Sequence, residues 1–319
     1  MDTETEVFPK GTKISHYKIA SLIGRGGFGN VYKVIETTSG EAFALKTELS
    51  SVNESFLKNE TKCLKKNRCK CFPIISETGT FKNVQYYIMP LYGQSLSEIR
   101  KESNGKLEPA IAFPLIYQMY LVIKKLHEKG YIHRDIKPGN FLVQNDRKYP
   151  LVLIDFGLAE LHIDFETNQP FQAKESNPFK GTKNYASPYA HLRKPMGRRD
   201  DLISWYYSSI ELLTGQLPWR ECETIEEMRE MKKSMTAAKL CKGITKSFCP
   251  IYQHLINLKY NSQPSYTNIE NQLKIILKEL NISLNQINWE LFYRQHAGFS
   301  KESSESNSEA ENKEDCVIQ

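Results

Sequence analysis

Residues 131 to 143 read YIHRDIKPGNFLV, which sets His133, Arg134, Asp135, Lys137 and Asn140 within eight positions between apolar ends. Polar groups set against a core are costly unless each finds a partner, so this concentration needs a chemical reason. Downstream, fifteen residues after Asn140, comes Asp155-Phe156-Gly157, preceded by the apolar run LVLI of a buried strand. An aspartate at the end of such a strand is well placed to hold a metal. The carboxylate of Asp135 can accept a hydroxyl proton, Lys137 can offset charge on a phosphoryl group in transfer, and the amide oxygen of Asn140 can bind Mg²⁺. On this reading the charged groups lie near the core because the core walls the site they form.

Upstream, residues 17 to 50 alternate and turn like a hairpin-rich sheet, in runs rich in Val, Ile, Tyr and Phe with a Thr-Ser-Gly turn between two of them. Between the first two strands lies Gly24-Arg25-Gly26-Gly27-Phe28-Gly29-Asn30-Val31, a GxGxxGxV. Glycines let the backbone offer its N–H groups to a phosphate chain without side-chain obstruction. A plain glycine turn would look the same, and a Rossmann dinucleotide site would need a helix where Val31 onward reads as a strand. In the next strand, period-two geometry puts Ala42, Ala44 and Lys46 on one side, beneath the glycine loop. Asn53 is expected to cap a helix running to about Asn67, with Phe56, Cys63 and Leu64 on its apolar face. Glu60 falls in the middle of that face, so its carboxylate needs a cation, and Lys46 is the nearest candidate. Further strands fit FPIISETGTF and VQYYIMPL, residues 72–81 and 84–91.

After Leu91 the balance shifts to helix. Ala112, Leu115, Ile116, Met119, Val122, Ile123 and Leu126 recur at spacings of three and four up to Gly130, and a second such helix is expected from about Asp201 to Thr214. The stretch SKESSESNSEAENKED, residues 300–315, is polar, charged and free of aromatics, which predicts a disordered tail over 298–319. That tail is acidic, so the chain's net charge of +6 conceals a basic body, a balance that suits acidic partners as well as plain solubility. A length of 319 residues with 40% hydrophobic and 25% charged residues suits two compact lobes. No apolar run of membrane-spanning length and no signal peptide is apparent, so a cytoplasmic or nuclear protein is expected. Of seven cysteines, an odd and scattered set, most read as reduced thiols, and the lone Cys69-x-Cys71 as packing or surface groups ahead of a zinc site.

Taken in this order and on these elements, the motifs resemble those of the protein kinase family over roughly residues 15 to 297. The resemblance implies an α+β, bilobal fold, with a small antiparallel β-sheet lobe of one helix (about 15–90) and a larger, mainly helical lobe (about 91–297), after an N-terminal extension (1–14). It implies ATP and Mg²⁺ as cofactors and Ser/Thr hydroxyls of proteins as substrates, since Lys137 two positions after Asp135 is similar to the serine/threonine class. Asp135, Lys137 and Asn140 would be catalytic, with Asn140 and Asp155 binding metal. Ile23, Gly24, Arg25, Gly26, Gly27, Phe28, Gly29, Asn30, Val31, Ala44, Lys46, Glu60, Met89 and Leu91 would hold the nucleotide, Met89 as gatekeeper and Leu91 on the hinge, while Asp201 would hold the catalytic loop. A pseudokinase scaffold or binding module would be expected to lose Lys46, Asp135 or Asp155, and none is lost.

No APE follows the DFG. The corresponding stretch from Gly181 to Leu202, GTKNYAS with RRDDL after it, and GQLPWR at 215–220, resemble the casein kinase I group, most closely its tau-tubulin kinase branch. That group carries an arginine where this chain has Asn184, beside Lys183, and an SIN where it has Ser187-Pro188-Tyr189, so acid-directed specificity is not carried over. A phosphate on Thr167 or Ser176 is the expected counterpart for Arg134 if the loop is phosphorylated, which the group does not commonly require. The last four residues, Cys316-Val317-Ile318-Gln319, form a C-a-a-X pattern read by farnesyl transfer, so weak membrane association through a prenylated Cys316 is expected. A monomer that binds ATP and protein, with no nucleic acid, completes the expectation.

Overall fold

A computed structural model describes residues 8–26, 29–48, 55–173, 179–284 and Trp289. The expected tail with Cys316, together with Gly27, Phe28, Asn53 and Ser176, lies outside the described residues. The chain opens with β1 (Lys13–Ile14), β2 (Tyr17–Gly26), β3 (Gly29–Glu36) and β4 (Ala42–Thr47), and continues through α1 (Phe56–Lys66) to β5 (Glu77–Phe81) and β6 (Val84–Pro90). These strands form one six-stranded antiparallel sheet in the order β1-β2-β3-β4-β6-β5. Alternation gives the sheet two apolar faces. Tyr17, Ile19, Tyr32, Val34, Leu45 and Ile88 pack on one with Phe8, while Ala44, Tyr87 and Met89 meet Leu57 of α1 on the other.

Three expectations in this lobe need correction. The helix is capped by Ser55, whose hydroxyl accepts the Lys58 N–H at 3.2 Å. With the first turn set by that cap, Leu57 faces the core and Phe56 is only half-buried, although Glu60, Cys63 and Leu64 face inward as the period requires. Residues 72–76 are not strand. The Phe72 N–H closes a turn onto the Cys69 carbonyl, and Phe72 joins the core of the second lobe, so pairing with β6 starts only at Ser76.

The second lobe is mainly helical: α2 (Leu96–Glu102), α3 (Pro109–Glu128), α4 (Pro188–His191), α5 (Arg198–Thr214), α6 (Ile225–Ser234), α7 (Ala237–Leu240), α8 (Cys249–Ile256) and α9 (Tyr266–Glu279). Between α3 and α4 run the short strands β7 (Tyr131–Ile132), β8 (Phe141–Val143) and β9 (Leu151–Leu153). The helix α5 begins three residues before the expected Asp201, because the Asp200 carboxylate accepts the Gly197 N–H at 2.8 Å and closes the first turn there. Its neighbour α3 packs against it, and the Trp205 indole N–H donates to the Ile116 carbonyl at 3.0 Å. Both helices are buried on nearly every side and form the axis of a core running from Leu64 and Phe72 to Ile276. The architecture is therefore α+β and bilobal, and the polar stretch of 131–143 lies between α3 and β9, at the edge of that core. No helix among the described residues is long and apolar enough to cross a membrane.

Candidate active site

The glycine loop is the β2–β3 hairpin, with Gly24 opposite Val31 and Gly26 opposite Gly29. Gly29 is obligatory: a Cβ there would stand 1.7 Å from the Thr47 carbonyl oxygen. The next register step pairs Val31 with Lys46 and Ala44 with Met89, so one apolar patch of Val31, Ala44, Met89 and Leu91 lies beside the lysine. Among the other expected nucleotide residues, Ile23 and Arg25 are exposed on β2, and Asn30 is buried.

Lys46 crosses from β4 to reach both α1 and the end of the β9 segment. Its Nζ lies 2.6 Å from Glu60 Oε2 and 3.0 Å from Asp155 Oδ1. Burial alone would lower the lysine pKa, but the carboxylates of Asp155 and Glu60 outweigh it and raise the value well above the ordinary one. Burial likewise opposes ionisation of Asp155, and the Lys46 charge overcomes it, holding the carboxyl below the ordinary range. The second oxygen of Glu60 accepts the Phe156 N–H at 3.0 Å, so one carboxylate fixes both the lysine and the DFG backbone.

Asp155 has φ +69°, a left-handed conformation that a non-glycine residue holds only against strain of about 1–3 kcal/mol. The surroundings impose it. Phe156 is wedged edge-on between Phe72, at 5.3 Å, and His133, at 5.0 Å, and the His133 ring bonds the Ile154 carbonyl at 3.0 Å. Asn59 of α1 donates to the carbonyls of Gly157 and Ala159, 2.9 Å each.

Arg134 is strained in the same way, at φ +72°. Asp201, at the start of α5, accepts the N–H groups of His133 at 2.7 Å and Arg134 at 2.8 Å, and His127 Nε2 lies 3.0 Å from it. Burial raises the pKa of Asp201, but these donors lower it further than burial raises it. Behind this support, Asp135 is buried and well partnered: its Oδ2 lies 2.6 Å from Lys137 Nζ, its Oδ1 accepts the Thr182 N–H at 2.8 Å, and its carbonyl accepts from Asn140 Nδ2 at 2.8 Å. Lys137 also donates to the Thr182 hydroxyl at 3.0 Å. Gly181 approaches within contact of the catalytic loop, and a Cβ there would sit 3.0 Å from the Arg134 carbonyl.

A family profile described as protein kinase domain matches residues 17–281. The chain belongs to the protein kinase family. Among curated relatives, a Dictyostelium discoideum protein named as a probable serine/threonine-protein kinase is 33% identical over 281 residues. The match covers 86% of this chain, which spans only 57% of that relative's length.

Seen as a kinase, the chain brings together Lys46, Glu60, Asp135, Lys137, Asn140 and Asp155 in the two lobes' facing ends. Gly27 and Phe28 of the glycine loop lie outside the described residues. The charge of Arg134 meets the Glu160 carboxylate, and Thr167 stands exposed in the turn after Asp164. Cys69 and Cys71 are free thiols with sulfurs 2.8 Å apart, and the described residues hold no group of three or more His, Cys, Asp or Glu arranged to bind a metal ion.

Sequence reasoning missed several functional contacts. His127, 3.0 Å from Asp201, was not singled out, and Thr182 entered only as part of the GTKNYAS stretch. Tyr87 sits opposite Lys46 in register and is almost fully buried. Lys232 was also missed: it lies on α6, 1% exposed, with Nζ 2.9 Å from the Lys183 carbonyl, 2.7 Å from that of Ala186 and 3.0 Å from His191 Nε2. Its readable signal was its place four residues after the buried Met228, on the inward stripe of α6.

Proposed function

We propose that this kinase transfers the γ-phosphate of ATP to serine and threonine hydroxyls of proteins, and that its domain extends over about 15–297. The observation that carries this reading is Lys46 bonded at once to Glu60 and Asp155 across the lobes, with Asp135 and Lys137 joined through Thr182 below. Lys46, held by Glu60, binds the α and β phosphates, beneath the N–H groups of Gly24, Gly26 and Gly29. The patch of Val31, Ala44, Met89 and Leu91 receives the adenine. Asp135 orients the substrate hydroxyl and takes its proton, and Lys137 offsets charge on the oxygens of the group in transfer. Asn140 and Asp155 offer oxygen donors only, and two protein ligands suit Mg²⁺, which keeps waters and phosphate oxygens in its remaining positions. When bound there, Mg²⁺ supplies neutralisation of phosphate charge. With the positions of both reactants fixed in advance, most of the rate comes from orientation and electrostatics.

Serine and threonine are preferred because Lys137 follows Asp135 by two and because the relative's name carries that class. The finer assignment, to the casein kinase I group and its tau-tubulin branch, rests on GTKNYAS, RRDDL and GQLPWR. Asn184 in place of an arginine relaxes acid-directed choice of substrate, so casein, tubulin and tau should be phosphorylated with little dependence on a primed site. Phosphate transfer from labelled ATP to that panel tests the proposal. The wild type should label at least one protein and the Asp155→Asn variant none; equal labelling by both would defeat it.

A further inference from the structure

The segment from Gly181 to Ser187 passes against the catalytic loop and leads into α4, and its two ends are fastened by evident means. At the front, Thr182 bonds Asp135 and Lys137. At the rear, the Ser187 hydroxyl donates to Asp200 and accepts the Ala190 N–H. Between these points the chain turns its carbonyls into the second lobe, and two side chains receive them. Lys232 takes those of Lys183 and Ala186, and the Trp219 indole N–H takes that of Asn184 at 2.7 Å.

Lys232 is an expensive way to fill this space. Among the described residues no carboxylate pairs with it, and a methionine would occupy a similar volume without desolvating an amine. What the amine adds is hydrogen bonding. As an ammonium its three N–H groups match the two carbonyls and His191 Nε2; as a free amine it keeps two donors for the carbonyls and accepts from the imidazole. The rings of Trp219 and Tyr207, 4.9 and 5.3 Å away, line the rest of its environment. The hydrogen-bonding positions of the amine are satisfied by the segment and by His191 of the helix that follows it.

We propose that Lys232 is a positioning residue for protein substrate: it holds the 182–187 segment with its carbonyls inward, so that the outer side of the segment stays set as a docking strip next to Asp135. This inference rests on the kinase reading above. It assigns Lys232 no contact with ATP or with the reacting atoms. The exposed side chain of Lys183 then keeps a fixed place at the mouth of the site.

The test compares the full-length wild type with Lys232→Met and Trp219→Phe, measuring KM for a Ser/Thr peptide and for ATP separately, along with thermal unfolding. Lys232→Met should raise the peptide KM by about tenfold, the cost of losing roughly one strong buried interaction, with KM for ATP unchanged and no loss of unfolding temperature. Trp219→Phe should shift the peptide KM the same way by less, and it decides the matter if Lys232→Met fails to fold. A folded Lys232→Met with wild-type peptide KM overturns the proposal, as does a parallel rise of both KM values together with a fall in stability. If the wild type labels no peptide, the kinase reading has failed, and amide exchange of residues 182–187 still judges the lysine: faster exchange in Lys232→Met supports positioning, and unchanged exchange refutes it.

Discussion

Lys46 in the first lobe and Lys232 in the second are both drawn largely out of water, and they are held in opposite ways. Lys46 sits between two carboxylates that keep its charge against burial. Lys232 has carbonyls, an imidazole and two ring faces, and burial pulls its pKa down to about 6. Burial also pushes His191 down to about 4, with the Lys232 charge as the second cause, so the imidazole is neutral beside it. The difference is one of purpose. A permanent cation is needed where phosphates are to be bound, whereas fastening a backbone needs donors and not net charge.

The largest effect should come from removing the paired cation. Lys46→Met leaves Glu60 and Asp155 facing each other without a counter-charge; phosphate transfer should fall by about 10²–10³-fold and stability by about 3 kcal/mol. Denaturant unfolding beside the transfer assay checks both, and an unchanged midpoint would break the contrast between the lysines.

The pH dependence of stability should differ next most. The raised pKa of Lys46 keeps its contribution present below the ordinary 10.5 and loses it only as pH rises through the still higher folded value. The lowered pKa of Asp155 keeps its contribution above the ordinary 3.8 and loses it as pH falls through the folded value. Between those limits the cluster is flat. For Lys232 the folded state binds fewer protons than the unfolded one between about 6 and 10.5, so stability rises with pH there, at up to about 1.4 kcal/mol per unit. Unfolding curves of wild type and Lys232→Met across pH 6 to 10 should converge in favour of the wild type as pH rises, and parallel curves would show that the site does not titrate there.

At neutral pH Lys232→Met should unfold no more easily than wild type, because the cost of stripping the lysine of its proton on folding offsets the loss of its bonds to the two carbonyls. The smallest effect concerns Asn184, whose carbonyl is fixed by Trp219 whatever its side chain. Asn184→Arg should improve the KM of a peptide with an acidic neighbour over a neutral one by about fivefold, or at most about 1 kcal/mol.

How much of this was legible depended on whether a role was written locally. Asp135, Lys137 and Asn140 share one short stretch, and Asp155 ends a recognisable strand. Glu60 was readable because helix period alone turned it inward, and Lys46 because strand period did. Phe56 exchanged places with Leu57 because the cap at Ser55 was not foreseen and shifts the first turn. The pair Arg134–Glu160 and the support of Asp201 by His127 join residues 26 and 74 positions apart, which no local pattern records. Lys232 was the hardest, since a Lys-Lys pair near a helix end reads as solvated, and its partners are backbone carbonyls that carry no sequence identity.

The most direct test of whether the assembled carboxylates and lysines catalyse, and do not merely bind nucleotide, is a paired measurement on wild type and Asp135→Asn: ATP affinity and the rate of phosphate transfer to a Ser/Thr peptide. The account predicts matched affinity and a rate lower in the variant by about 10²–10⁴-fold, the range for loss of a positioned general base. A wild type that binds ATP yet transfers phosphate no faster than the variant would contradict it and leave a kinase fold used as a scaffold.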